Sequence, residues 1–427
     1  MKKEIITLIT ALFILLPSLT AQVPVPAPPQ SEGIVLSGGT VHTGDGRVIE
    51  NAAVAFDNGV IVAVGSAAEV TSAHSSFRRV DVTGKHIYPG LIMPGTNLGL
   101  AEIGGHGVAT DHTEMGRYNP GVRAIVAYNT DSHVPPVIRS AGVLLAQITP
   151  NSGVIPGLSS VVQLDAWTWD QAAYKKDGGM QVNWPSTAQA GGGGRSAYDR
   201  TVEELETLFD DARAYLSDTS PNRRRNLNLE PFEGLFDGSR ILYINASDAR
   251  GIMASILFFK RQGVQRIVLL NATEEAWLVR DFLKEHDIPV IAGHVHSMPR
   301  FDHSDTRMTY RLPALFMKEG ILTGLTHSST TYGFNLPFVA GQAVGYGLTP
   351  EEALQLITLN NAKILGIDDR TGSIEVGKDA NLLVSGGDIL DLISHDIETA
   401  FIQGREIDLD NKFRQLRDKF NQKFEQR

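Results

Sequence analysis

Leu348-Thr349-Pro350-Glu351-Glu352-Ala353-Leu354 continues through Thr358, Asn360, Ala362 and Leu365-Gly366. It runs on into Gly372-Ser373-Ile374-Glu375-Val376-Gly377-Lys378-Asp379-Ala380-Asn381-Leu382, and on this stretch the fold turns. It reads as a helix followed by a returning strand. Thr349 is the N-cap. Pro350 sits in the first turn, where a missing N–H is harmless, and Glu351 and Glu352 favour the positive helix end. Gly366 ends the helix, and Gly372 and Gly377 permit the turns that follow. These roles are structural, and none of them is chemistry.

Upstream, from residue 89, short apolar runs alternate with helical stretches. Strands are expected at 142–148, 160–164, 240–244, 265–270, 288–291 and 320–325, and helices at 248–262, 272–286 and 349–358. Strands alternating with helices give a parallel sheet, and this many suit a closed barrel. Residues 172–236 break the pattern with glycines at 191–194, a charged helix near 202–216 and Arg223-Arg224-Arg225. They are expected to form an insertion over one end of the barrel, with the arginines either a solvated face or an anion site.

Ahead of the barrel, residues 34–64 carry strand signals, with Asp57-Asn58-Gly59 as a hairpin turn, and residues 80–88 add another strand. Short strands return at 382–384 and 399–402, so a small β-unit draws on both chain ends. Lys2 and Lys3, an apolar run over 5–16, and Leu19-Thr20-Ala21 before Gln22 describe a secretory signal cleaved near Ala21. An uncleaved anchor is the alternative, although the run is short for a transmembrane helix. A proline-rich linker follows over 22–32, and a charged amphipathic tail closes the chain over 409–427.

The 427 residues, 42% of them hydrophobic, suffice for one barrel and a minor domain. A formal charge of -10 argues against a nucleic-acid surface. With no cysteine in the chain, disulfides, thiolate metal sites and cysteine nucleophiles are excluded. No G-x-S-x-G elbow or phosphate loop is present either.

The opening stretch, together with Gly84-Lys85-His86-Ile87-Tyr88-Pro89-Gly90-Leu91-Ile92, resembles the amidohydrolase superfamily, in particular its imidazolonepropionase-like branch. The resemblance implies an α/β fold: a (β/α)8 TIM-like barrel over 89–372 with a small β-sandwich-type domain from 33–88 and 373–408. It also implies a hydrolase acting on the C–N bond of a small amide, cyclic amide or peptide derivative, with one or two divalent metals such as zinc. Such a metal lowers the pKa of bound water and polarises the carbonyl. The family's ligands are a His-x-His pair ending strand 1, histidines ending strands 5 and 6, an aspartate ending strand 8 and, in some members, a carboxylated lysine on strand 4. Here those positions fall at Gly95 and Asn97, near Asn245, near Asn271, and at Thr326 or His327, with Lys175 and Lys176 as loose lysine candidates. Glycine and asparagine are poor substitutes for imidazole on zinc.

Other residues offer a relocated site. His294 and His296 follow an apolar strand, and alternation puts them on one face; His327 follows the last strand. These three are metal candidates, with Asp111, His112 or Glu114 as general base or fourth ligand and His106 nearby. The alternative is that all are hydrogen-bonding loop residues. Trp167 and Trp169, with Tyr174 and Trp184, either floor a substrate pocket or pack the core. His42, His74, His286 and His395 are surface or structural. Two functions therefore stand: an exported C–N hydrolase, periplasmic or secreted, and a non-catalytic relative that binds a small molecule or pairs with an active homologue or with its own copy.

Overall fold

The computed structural model describes residues 25–102, 110–187, 196–293, 295–298, 304–327 and 329–425. The expected signal and its cleavage point, His106, His294 and the glycines at 191–194 lie outside them. Two eight-stranded sheets organise the chain.

The first sheet holds β1 (Ile34–His42), β2 (Val48–Asp57), β3 (Val60–Ser66), β4 (Arg78–Asp81) and β5 (His86–Pro89). Both the β2–β3 turn and the composition of the sheet follow the sequence. Asn58 and Gly59 take φ of 49° and 82°, the paired positive angles a two-residue hairpin needs. From the other chain end come β14 (Leu382–Ser385), β15 (Ile397–Ile402) and β16 (Arg405–Ile407), which join through the antiparallel β14–β5 pair. The order is β16-β15-β14-β5-β1-β2-β3, with β4 on β1.

The second sheet is the barrel: β6 (Leu91–Thr96), β7 (Val143–Ile148), β8 (Gly157–Gln163), β9 (Ala173–Asn183), β10 (Ile241–Asn245), β11 (Ile267–Ala272), β12 (Val290–Ala292) and β13 (Thr323–Leu325). Alternate residues point inward, and Ile92, Leu145, Val161, Tyr243, Leu270 and Ile291 form the barrel's interior cluster. The seam between β13 and β6 is closed by a side chain. Buried Asn361 donates from Nδ2 to the carbonyls of Ile92 and Leu325, both at 2.8 Å, and accepts from the Leu325 N–H at 3.2 Å.

Two expectations need correction. β9 lies within the stretch expected to be an insertion; its Lys-Lys-Asp-Gly-Gly centre hides a barrel strand. Next to it, β8 runs antiparallel to both β7 and β9, whereas the other neighbouring pairs in this sheet are parallel. The rest of the supposed insertion is an outer layer of the barrel. Its helix Ala197–Ser217 starts on a Ser196/Asp199 capping box and buries Leu205, Phe209 and Ala212 at helical spacing against Phe232 and Phe259. Arg223 donates to the carbonyls of Tyr215 and Asp218, and Arg225 pairs with Glu230, so these two serve local structure.

The stretch from Thr349 to Gly366 keeps its expected caps, but Thr358, at φ -127° and ψ -97°, splits the single expected helix in two. Thr349 and Glu352 form a capping box on the helix Pro350–Ile357, and a second helix, Leu359–Leu365, ends at Gly366 with φ 64°. Asp379 then accepts from Tyr174 Oη at 2.7 Å and pairs with Arg370 at 2.7 Å, tying the return segment to the barrel.

Candidate functional site

A parallel barrel presents its chemistry at the C-terminal strand ends. At the end of β6, Gly95 takes φ 65°, and its N–H donates to Gln147 Oε1 at 3.1 Å. A Cβ built there would lie 2.8 Å from Leu270 Cδ1, so an apolar side chain from β11 fills the space beside it. Half-buried Asn97 follows, and its Nδ2 is buried without a hydrogen-bond partner.

Across the mouth, β9 and β10 end in asparagine and β11 carries one at its penultimate position, and the three carboxamides are joined head to tail. Asn271 Nδ2 donates to Asn245 Oδ1 at 3.2 Å, Asn245 Nδ2 to Asn183 Oδ1 at 3.3 Å, and Asn183 Nδ2 to the Gly153 carbonyl at 2.9 Å. Asn271 is held in the left-handed region, φ 55°, and a Cβ on facing Gly293 would lie 2.6 Å from its Oδ1. Beneath the ladder, buried Gln147 and Gln181 both donate to Ser159 Oγ at 3.1 Å. Burial raises the Tyr243 phenol well above its usual range, keeping it protonated.

These residues do not fit a divalent metal. The carboxamide oxygens of Asn183 and Asn245 already accept from neighbouring amides, Gly95 offers no donor atom, and among the described residues no anionic or imidazole group joins the ladder. Thr326, at the strand-8 position, turns its hydroxyl to the Pro94 carbonyl across the seam. Asn183 escapes the sequence reading because β9 reads there as part of an insertion; an asparagine ending a recognised fourth strand would complete the set.

The lysine candidates lie at the other end. Lys175 is the third residue of β9, and its ammonium donates to the carbonyls of Leu365 and Gly366 at 2.9 and 3.0 Å. Lys176 pairs with Asp170. The tryptophans also need correction. Because β8 is antiparallel, the loop after it emerges at the N-terminal end of the parallel strands. Trp167, 61% exposed, and Trp169 therefore sit at the end opposite the mouth. Trp184, following β9, is core: buried and packed on Phe258 and Phe259.

The relocated histidine site is not assembled among the described residues, where no group of three or more histidine, aspartate or glutamate side chains is placed to hold a metal. His296 is exposed, its Nε2 on Gln342 Oε1; His327 is half-buried, its Nδ1 accepting from the Ser329 N–H at 3.2 Å. Asp111 and Glu114 are exposed, with Glu114 Oε1 accepting from the next backbone N–H, and half-buried His112 holds a buried, unpartnered Nδ1.

Comparison with known proteins supplies the context. A family model described as the amidohydrolase family matches residues 319–422. The imidazolonepropionase of Syntrophobacter fumaroxidans is 49% identical over 59 residues, 14% of this chain and 14% of that protein. That of Shewanella frigidimarina is 64% identical over 36 residues, 8% of this chain and 9% of that protein. The chain thus matches only a short part of these relatives' length. Among solved structures, an amidohydrolase from Thermotoga maritima superposes with a TM-score of 0.78 at 25% identity, covering 88% of this chain and 99% of that one. A zinc-bound adenosine deaminase from Xanthomonas campestris, with a TM-score of 0.53 at 18% identity over 92% of this chain and 100% of that one, shares the fold.

Proposed function

Because the chain belongs to the amidohydrolase superfamily, a family of C–N hydrolases, we propose that its barrel mouth takes a small amide, cyclic amide or peptide derivative and holds it by hydrogen bonds rather than through a divalent metal. One observation carries this reading: the Asn183–Asn245–Asn271 ladder lies at the strand ends where the resemblance expects metal ligands. A carboxamide row presents both donors and acceptors, matches the donor and acceptor of an amide substrate, and has no group able to ionise a bound water. The chain is then a non-catalytic relative that binds the family's class of molecule.

Elemental analysis and calorimetric titration with small amides test this. The purified protein is expected to carry well under one zinc, manganese or iron per chain. EDTA should leave melting temperature and amide binding unchanged. Asn245→Ala, which removes two ladder bonds, should weaken that binding by about tenfold. A stoichiometric metal, or amide turnover abolished by EDTA, would make the chain a hydrolase and overturn the proposal.

We also propose that the chain is exported, a reading supported by the basic start and the apolar run over 5–16. N-terminal sequencing of the protein from its native envelope fraction should find a start near Gln22. A mature chain that still begins at Met1 counts against export.

A further inference from the structure

The helix Lys412–Glu425 buries none of its residues. Its root is firm: buried Asn411 accepts from the N–H groups of Phe413 and Arg414 at 3.0 and 3.1 Å and donates to Ser140 Oγ at 3.0 Å. Beyond that root the helix carries an apolar stripe that is partly open to solvent, with Phe413 57%, Leu416 37%, Phe420 50% and Phe424 61% exposed. Exposed side chains this large on one short helix are uncommon and mark an interaction surface.

The distribution of charge says which kind. At about 100° per residue, these four side chains fall within about 80° of arc. Lys412, Lys419 and Lys423 border the stripe on one side, and Arg417 borders it on the other with Arg414 beyond. Asp418 and Glu425, with Gln415 and Gln422, occupy the far side. Five cations against two carboxylates make this helix basic within a chain of formal charge -10. Cations at the apolar–polar boundary and acids turned away form the pattern of a helix lying in an anionic lipid surface, where aromatic rings enter the headgroup layer and lysine stems reach back to phosphates. The spacing disfavours a coiled coil with a second copy. Setting Phe413, Leu416 and Phe420 as a, d and a places Lys423 at the next d and Phe424 outside the seam, and two heptads are too few. No helix among the described residues is long and apolar enough to cross a membrane, so this one would lie along it.

We propose that the helix Lys412–Glu425 docks the protein on an anionic lipid surface, with Phe413 and Phe420 inserted and Lys412, Lys419 and Lys423 on the headgroups. This stands independently of what the barrel mouth binds. The test is co-sedimentation of the full chain with vesicles of phosphatidylcholine alone and of equimolar phosphatidylcholine and phosphatidylglycerol. A Phe413→Ser/Phe420→Ser variant and a Lys412→Gln/Lys419→Gln/Lys423→Gln variant are run in parallel; all carry the same N-terminal segment, so differences read the helix alone. The wild type should prefer the anionic vesicles by at least about tenfold and lose that preference in high salt. The serine variant should lose binding by about tenfold, and the glutamine variant should bind both vesicles alike. Melting temperatures should stay unchanged, because the substituted side chains are solvent-facing. Equal binding by wild type and serine variant overturns the proposal. So does a wild type that ignores vesicles but sediments as a dimer that the serine variant breaks, since the stripe would then serve a second copy.

Discussion

At Gly95 the backbone takes φ 65°, and Leu270 occupies the space a side chain would need. This residue therefore departs from the family's ligand set for two physical reasons at once, and restoring a histidine there should be resisted by both. Gly95→His is expected to lose about 2–4 kcal/mol of stability, combining a left-handed non-glycine backbone with overpacking. Urea denaturation measures it; a loss under about 0.5 kcal/mol would mean that β6 relaxes freely and that the metal position is only dormant. The identities at Gly95, Asn97, Asn245 and Asn271 could be read from the sequence because flanking strands fix them. That the asparagines bond to one another could not, because a ladder is a property of neighbouring strands. Asn183, its third member, is set by the pairing of β9 with β10, which puts Asn183 opposite Asn245.

Strand direction is the element-scale property that local sequence left unstated. Residues 160–164 read correctly as a strand, yet nothing within them says that β8 runs against β7, and that single reversal moves Trp167 and Trp169 to the opposite end of the barrel. The joint between the β-domain and the helix Pro350–Ile357 was equally hidden. His42, from β1, contacts Glu351 from that helix at 2.6 Å through Nδ1 and His86 from β5 at 3.0 Å through Nε2, and it stacks on Tyr88 at 4.3 Å. Burial, and then the neighbouring His42, lower the pKa of His86 below its usual value, with Asp388 pulling weakly the other way. A histidine whose folded pKa is depressed holds fewer protons folded than unfolded. The stability it contributes is present above about pH 6.5 and is lost as pH falls below that value toward the folded pKa. Chemical denaturation between pH 8 and pH 5 (roughly the histidine range) should show stability declining with acidity, and His86→Gln should flatten the decline. An unchanged slope in that variant would assign the effect to other groups.

On the scale of the whole molecule, one of the joints between barrel and β-domain is built around a buried carboxylate. Asp165 follows β8 and has a fully buried side chain. It takes Arg139 on Oδ1 at 2.6 Å and, on Oδ2, both Arg405 from β16 and the N–H of Ala27, each at 2.9 Å. Four chain segments far apart in sequence meet there, including the stretch that sequence reading treated as a bare linker over 22–32. Arg139 depends on it most. Its Nε and Nη2 are buried without partners, burial pulls its guanidinium pKa down, and Asp165 opposes that shift. Removing one partner from a buried pair leaves an uncompensated charge, which costs about 3–5 kcal/mol, whereas apolar replacement of all partners is often close to neutral. Asp165→Ala should therefore lose about 3–5 kcal/mol, with the β-domain and barrel still unfolding in one transition, while Asp165→Leu combined with Arg139→Met and Arg405→Met should recover most of that loss. Urea unfolding followed by tryptophan fluorescence and far-UV dichroism gives both results. Two separated transitions in Asp165→Ala would show that this cluster is what couples the two bodies; a single transition leaves the remaining contacts, such as Asp379 with Tyr174 and Arg370, sufficient to keep them cooperative.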